Sequence, residues 1–109
     1  ELGLEPFVEA HTARELDFAA KLDARLVGVN NRDISSLELD DGGPARTAAL
    51  AARAPEGALL VSESGILSVN DAETAASAGA NAVLVGTALW KARDMVEMYR
   101  ALRVKLQPR

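Results

Sequence analysis

Short apolar runs alternate with amphipathic stretches four times along the chain. The runs are Pro6-Phe7-Val8-Glu9-Ala10, Leu26-Val27-Gly28-Val29-Asn30, Ala58-Leu59-Leu60-Val61-Ser62 and Ala82-Val83-Leu84-Val85-Gly86. Each is short; the last three are rich in Val and Leu and closed by a polar or glycine position, and the first carries Glu9 next to its end, which predicts buried strands of a parallel sheet. Between them, start and stop signals predict helices. Thr12 and Glu15 form a capping box, and Leu16, Phe18, Ala19 and Ala20 give an apolar face up to Leu22. Gly43-Pro44 opens a second helix, with proline at its first position, running through Ala48, Leu50 and Ala51 to about Ala54 before Pro55 and Gly57. Ser68 or Asn70 starts a third, and Gly79 stops it. Thr87 to Trp90 reads as a short helical turn. Asp94 caps a last helix with Val96, Tyr99, Leu102 and Leu106 as contacts, and Trp90, Met95 and Met98 are expected to pack as well. A polar loop fills Asn31 to Gly43, where Asp40-Asp41-Gly42-Gly43 lacks the spaced ligands of a cation loop and reads as a turn.

Four strand–helix units imply parallel strands joined by right-handed crossovers. A faint repeat supports the same unit: Asp23-Ala24-Arg25-Leu26-Val27-Gly28 echoes Gly79-Ala80-Asn81-Ala82-Val83-Leu84-Val85-Gly86. Doubly wound sheets and β/α barrels both fit this order, and four units are half of an eight-stranded barrel. The fold class is therefore α/β, in one domain over residues 1–109.

Composition narrows the function. Apolar residues make up 49% of the chain and charged ones 26%, which is enough to build a core. About a fifth of the residues are alanine, which favours helices packed closely on a sheet. The net charge is −4 with both signs interspersed, so no basic stripe points to nucleic acid. No apolar run is long enough to cross a membrane, and the chain, which opens at Glu1, shows no signal-peptide pattern. Without cysteine, disulfides, thiolate metal sites and cysteine nucleophiles are excluded, which fits a reducing cytoplasm. The single histidine, His11, reads as a loop residue at a helix start, and one histidine cannot make a multi-histidine metal site.

In parallel α/β sheets, ligands sit at the carboxyl ends of the strands. The residues there are Glu9 and His11; Asn30, Asn31 and Arg32; Glu63, Ser64 and Gly65; and Gly86 and Thr87. Strand alternation sets Glu9 over Phe7, Asn30 over Gly28, and Glu63 over Val61 and Leu59, so each polar group stands above an apolar layer. Two carboxyl groups over such a layer suit acid–base work. The alternative is that each pairs with an arginine such as Arg32. Ser64-Gly65 and Gly86-Thr87 follow the last two strands, the usual place for a phosphate in barrels.

Four blocks, in this order and spacing, resemble indole-3-glycerol phosphate synthase: Val8-Glu9-Ala10-His11, Gly28-Val29-Asn30-Asn31-Arg32-Asp33, Val61-Ser62-Glu63-Ser64-Gly65-Ile66 and Gly79-Ala80-Asn81-Ala82-Val83-Leu84-Val85-Gly86. The resemblance covers essentially the whole chain but only strands five to eight of the family's barrel. It implies ring closure, decarboxylation and dehydration of 1-(2-carboxyphenylamino)-1-deoxyribulose 5-phosphate in tryptophan biosynthesis, in the cytoplasm, with no metal or organic cofactor. It also implies roles. Glu9 moves protons in the dehydration, Asn30 and Arg32 position the substrate, and Glu63 lies near the anthranilate end. Ser64, Gly65, Gly86 and Thr87 cradle the phosphate, and Leu84 is a wall of the pocket. The family often has serine or glutamate where this chain has Thr87. Its general-acid lysine lies on strand three, outside this chain, and Lys21, Lys91 and Lys105 are expected on helices where none replaces it. The expected partners are a small phosphorylated substrate and either a complementary N-terminal half-barrel or further copies of the chain. Two other readings are a half-barrel that binds phosphate or assembles without catalysis, and another phosphate-binding barrel enzyme, such as phosphoribosylanthranilate isomerase or a thiazole synthase. The Asn-Asn-Arg-Asp block argues against the second of these.

Overall fold

In a computed structural model, which describes residues 2–32 and 42–105, strands and helices alternate as the apolar runs predict. The strands are β1 (Val8–Ala10), β2 (Leu26–Asn30), β3 (Leu59–Glu63) and β4 (Ala82–Leu84). The helices are α1 (Ala13–Lys21), α2 (Ala45–Leu50, continued by a 3-10 turn over Ala51–Arg53), α3 (Val69–Ala78), α4 (Thr87–Lys91) and α5 (Met95–Ala101).

All neighbours in the sheet are parallel, in the order β1-β2-β3-β4. A sheet that never reverses its order keeps its right-handed crossovers on one face, whereas a doubly wound sheet reverses and is covered on both. The described chain is thus a half-barrel. Its register sets Glu9, Gly28, Val61 and Ala82 in one row across the sheet, with Asn30, Glu63 and Leu84 in the row above.

The helix-covered face carries the core. Val27, Val29 and Leu60 are fully buried against Leu16, Ala19 and Ala51. A second cluster joins Ile66, Ala72, Ala75, Ala80 and Leu102 to Val83, Val85, Leu89 and Met98. Alanine dominates the helical side of both clusters, so the helices lie close to the strands. The opposite face is bare: Phe7, Leu59 and Leu84 are 43%, 58% and 54% exposed. An apolar groove of about 460 Å³, lined by Val83, Val85, Leu89, Tyr99 and Leu102 among others, runs beside the unpaired edge of β4.

Capping follows the sequence closely. The Thr12–Glu15 capping box forms, Ser68 and Asp94 accept from the backbone N–H groups of Asp71 and Glu97, and Gly79 ends α3 in the left-handed conformation. Three strands and one helix start differ in their bounds. β1 begins at Val8 rather than Pro6, and β4 ends at Leu84 rather than Gly86, because an edge strand is held from one side only. β3 is shifted one residue, since pairing on both sides extends it to Glu63. Pro44 stands at the N-cap of α2, not within its first turn.

Several expected packing contacts are absent. Phe18 lies about 200° around α1 from Leu16 and faces solvent. Ala20 and Ala48 are exposed. Trp90 is 84% exposed, and Met95, Val96 and Tyr99 are exposed too, because α4 and α5 are short and bury only Ala88, Leu89, Met98 and Leu102. Lys105 lies beyond the end of α5 rather than on a helix. Asp33, Asp40, Asp41 and Leu106 fall outside the described residues.

Candidate active site

The carboxyl ends of β1, β2 and β3 bring Glu9, Asn30 and Glu63 to the bare face of the sheet. Asn30 and Glu63 are register partners, both buried, and Leu84 is the partner of Glu63 on its other side. Glu63 is only 5% exposed. Its side chain lies back across β2 at Gly28, where a Cβ would meet Glu63 Oε1 and, at 2.7 Å, two carbons of the Phe7 ring. Glycine at position 28 therefore makes the space in which the carboxyl group lies, and the Phe7 ring closes over it.

That pocket decides the state of Glu63. Burial, a hydrogen bond to Glu9 and the charge of Glu9 together push its pKa from 4.5 up to about 8. With its pKa at about 8, Glu63 keeps its proton at neutral pH, and its Oε1 is buried without a hydrogen-bond partner. A protonated carboxyl group with an unsatisfied oxygen, set beside a second carboxyl group, can deliver a proton to a substrate atom.

Asn30 Oδ1 accepts the backbone N–H of Arg32 at 3.0 Å, which turns the chain sharply out of β2. Arg32 itself is exposed at the rim. The turn after β3 holds two consecutive left-handed residues, Ser64 at φ 64° and Gly65 at φ 72°. The left-handed conformation costs a serine on the order of 1 kcal/mol or more. A Cβ on Gly65 would lie 2.8 Å from the carbonyl oxygen of Gly43, so the β3–α3 turn presses directly on the start of α2. Gly86 and Thr87 begin α4 beyond the edge strand β4, and space is open around the Cα of Gly86.

His11 behaves as a helix-start residue. Its backbone N–H donates to Glu15, its carbonyl accepts from Arg46 Nη1 at 2.9 Å, and its Nδ1 lies 3.9 Å from Glu15 Oε2.

Sequence reasoning passed over Gly28 and set Asn31 at the rim with Asn30 and Arg32. A glycine inside an apolar strand signals close approach of another group, and that signal was present. Asn31 projects to the helix side, opposite Asn30. Its Nδ2 meets three acceptors with two protons: Ser62 Oγ at 3.0 Å takes one, and the carbonyls of Glu63 at 3.1 Å and Ser64 at 2.9 Å share the other. Its Oδ1 accepts from the backbone N–H and the hydroxyl of Thr47, both at 3.0 Å. No local pattern announces this hub, because its partners lie 16 to 33 residues away.

The sequence model of indole-3-glycerol phosphate synthase matches residues 1–102. The indole-3-glycerol phosphate synthase of Methanothermobacter marburgensis is 47% identical over 90% of this chain and 35% of its own length. That of Pyrococcus abyssi is 44% identical over 93% of this chain and 44% of its own. Among solved structures, the BexX/CysO complex of Amycolatopsis orientalis contains a chain that superposes with a TM-score of 0.62 at 31% identity, over 90% of this chain and 38% of that one. The chain therefore spans less than half the length of these relatives. Among the described residues no helix is long and apolar enough to cross a membrane.

Proposed function

The chain belongs to the indole-3-glycerol phosphate synthase family, and from that premise we propose that it supplies the carboxylate and phosphate-binding half of such an enzyme. The reaction is closure of the indole ring on 1-(2-carboxyphenylamino)-1-deoxyribulose 5-phosphate, with loss of carbon dioxide and water. A cytoplasmic location goes with this reading. The observation that carries it is the pair Glu9–Glu63, with Glu63 buried against Gly28 and its Oε1 left without a hydrogen-bond partner.

The ring carbon attacks the substrate's carbonyl carbon, the ring carboxyl departs as carbon dioxide, and the resulting hydroxyl leaves as water. Every stage needs protons delivered or removed at defined atoms. Glu9 moves the proton in the dehydration, and Glu63 works beside it at the anthranilate end. Asn30 and Arg32 orient the substrate, and Leu84 is a wall of its pocket. The backbone of Ser64-Gly65 and of Gly86-Thr87 holds the phosphate. The carbonyl's own proton donor, the lysine the family resemblance puts on strand three, comes from the other half of the barrel. That half also covers Phe7, Leu59 and Leu84 and pairs with the open edges of β1 and β4, beside the apolar groove. A second copy of this chain meeting the same edges is the alternative occupant.

The test follows indole fluorescence in three samples: this chain alone, the barrel completed by a complementary first half, and the completed barrel with Glu9→Gln. The completed barrel turns over, the chain alone does not, and Glu9→Gln lowers turnover by about 10²–10⁴ with KM nearly unchanged. Turnover by the chain alone would overthrow the argument from the lysine. Unchanged turnover in the variant removes Glu9 from the mechanism.

A further inference from the structure

We infer that Asn31 is a positioning residue that holds the Ser64-Gly65 turn in its left-handed, ligand-facing conformation; as far as it concerns catalysis, this rests on the function proposed above. The hydrogen bonds around Asn31 have one consistent set of directions. Thr47 Oγ1 spends its only proton on Asn31 Oδ1. The 2.7 Å contact between Thr47 Oγ1 and Ser62 Oγ must then be donated by Ser62. Ser62 Oγ in turn accepts from Asn31 Nδ2. Amide, serine and threonine form a closed ring in which every proton has a place.

The ring is fixed at its base by backbone. The N–H of Asn31 donates to the carbonyl of Glu63 at 2.8 Å, extending the β2–β3 ladder by one residue, and the N–H of Thr47 donates to Asn31 Oδ1. The amide nitrogen of Asn31 is thereby aimed at the carbonyls of Glu63 and Ser64. The carbonyl of Ser64 is held from outside its own turn by this donor, just where serine departs from its ordinary backbone conformation. Asn31 thus touches none of the bare-face groups, yet it fixes the peptide units that precede the N–H groups of Ser64 and Gly65.

Three variants of the completed barrel test this. Asn31→Asp keeps the shape and sets a carboxylate oxygen against two carbonyls. Asn31→Ala removes the side chain without adding charge. Thr47→Val breaks the ring but leaves the bond from Asn31 to Ser64, and serves as the stability control. Two readouts are taken: the φ angle of Ser64, from its three-bond amide coupling and carbon shifts, and steady-state kinetics on the phosphorylated substrate. In both Asn31 variants Ser64 moves to negative φ and KM rises by about tenfold or more, the loss of one to two good hydrogen bonds, with a smaller change in kcat. Thr47→Val keeps the positive φ and a KM near that of the unmodified barrel. The inference falls if Ser64 keeps its positive φ in both Asn31 variants, if Thr47→Val raises KM as much at an equal loss of melting temperature, or if both Asn31 variants lose the whole fold. If Ser64 moves as expected while the unmodified barrel shows no turnover, the placement of the turn by Asn31 stands and the proposed function falls.

Discussion

The carboxyl group of Glu63 lies against the α-carbon of Gly28, in the space any other residue's Cβ would fill. This contact joins the fold to the chemistry. It buries the acid, turns it toward Glu9 and keeps it protonated at neutral pH. A strand with alanine at position 28 would pair in the same register, but the acid would have to lie elsewhere.

Gly28→Ala therefore tests the arrangement directly. The new methyl collides with Glu63 Oε1 and the Phe7 ring, and the loss of stability is about 1–3 kcal/mol, the usual range for overpacking. The displaced Glu63 carboxyl becomes more hydrated, so its pKa falls toward 4.5. Urea unfolding and carboxyl-carbon NMR titration of the variant measure both effects. An unshifted titration would show that the close approach is not what raises the pKa.

Stability should fall with pH because of Glu63. The folded protein keeps a proton that the unfolded chain releases near the ordinary value of 4.5. The contribution of this group is full below that value and is lost as pH rises to about 8. The slope is about 1.4 kcal/mol per pH unit across the middle of that window. Glu63→Gln removes this slope while keeping the shape of the side chain. Denaturant midpoints at several pH values between 5 and 8, for both proteins, give the difference.

The turn after β3 should tolerate no side chain at Gly65. Alanine there faces both a positive φ of 72° and the carbonyl of Gly43 at 2.8 Å. Gly65→Ala lowers stability by about 2–3 kcal/mol, the sum of the left-handed penalty and the clash. In the unmodified chain, inorganic phosphate shifts the amide signals of Ser64, Gly65, Gly86 and Thr87. If saturating phosphate moves none of them, these loops do not form the cradle.

The bare face predicts association. Phe7, Leu59 and Leu84 form an exposed apolar layer between two unpaired strand edges. Sedimentation of this chain alone at micromolar concentration gives a dimer or larger species, and adding a complementary first half converts it to a one-to-one complex. A stable monomer with cooperative unfolding would mean that the face needs no cover.

The sequence alone determined the order of strands and helices, the capping of α1, α3 and α5, and the alternation that turns Glu9, Asn30 and Glu63 to one face. Each of these is written within a few neighbouring residues, by a capping side chain or by a period of two. The choice between barrel and doubly wound sheet needed the strand order β1-β2-β3-β4, since the same units suit both. The burial of Glu63 beneath Phe7 and the four-way grip of Asn31, Thr47, Ser62 and Ser64 were also decided only by tertiary structure. Their partners are separated by whole strand–helix units, and a local pattern cannot report which of two polar groups will meet when the strands pair. The exposure of Phe18 and Trp90 has the same origin: an apolar residue is a demand for cover, and only the arrangement of neighbouring elements decides whether cover is there.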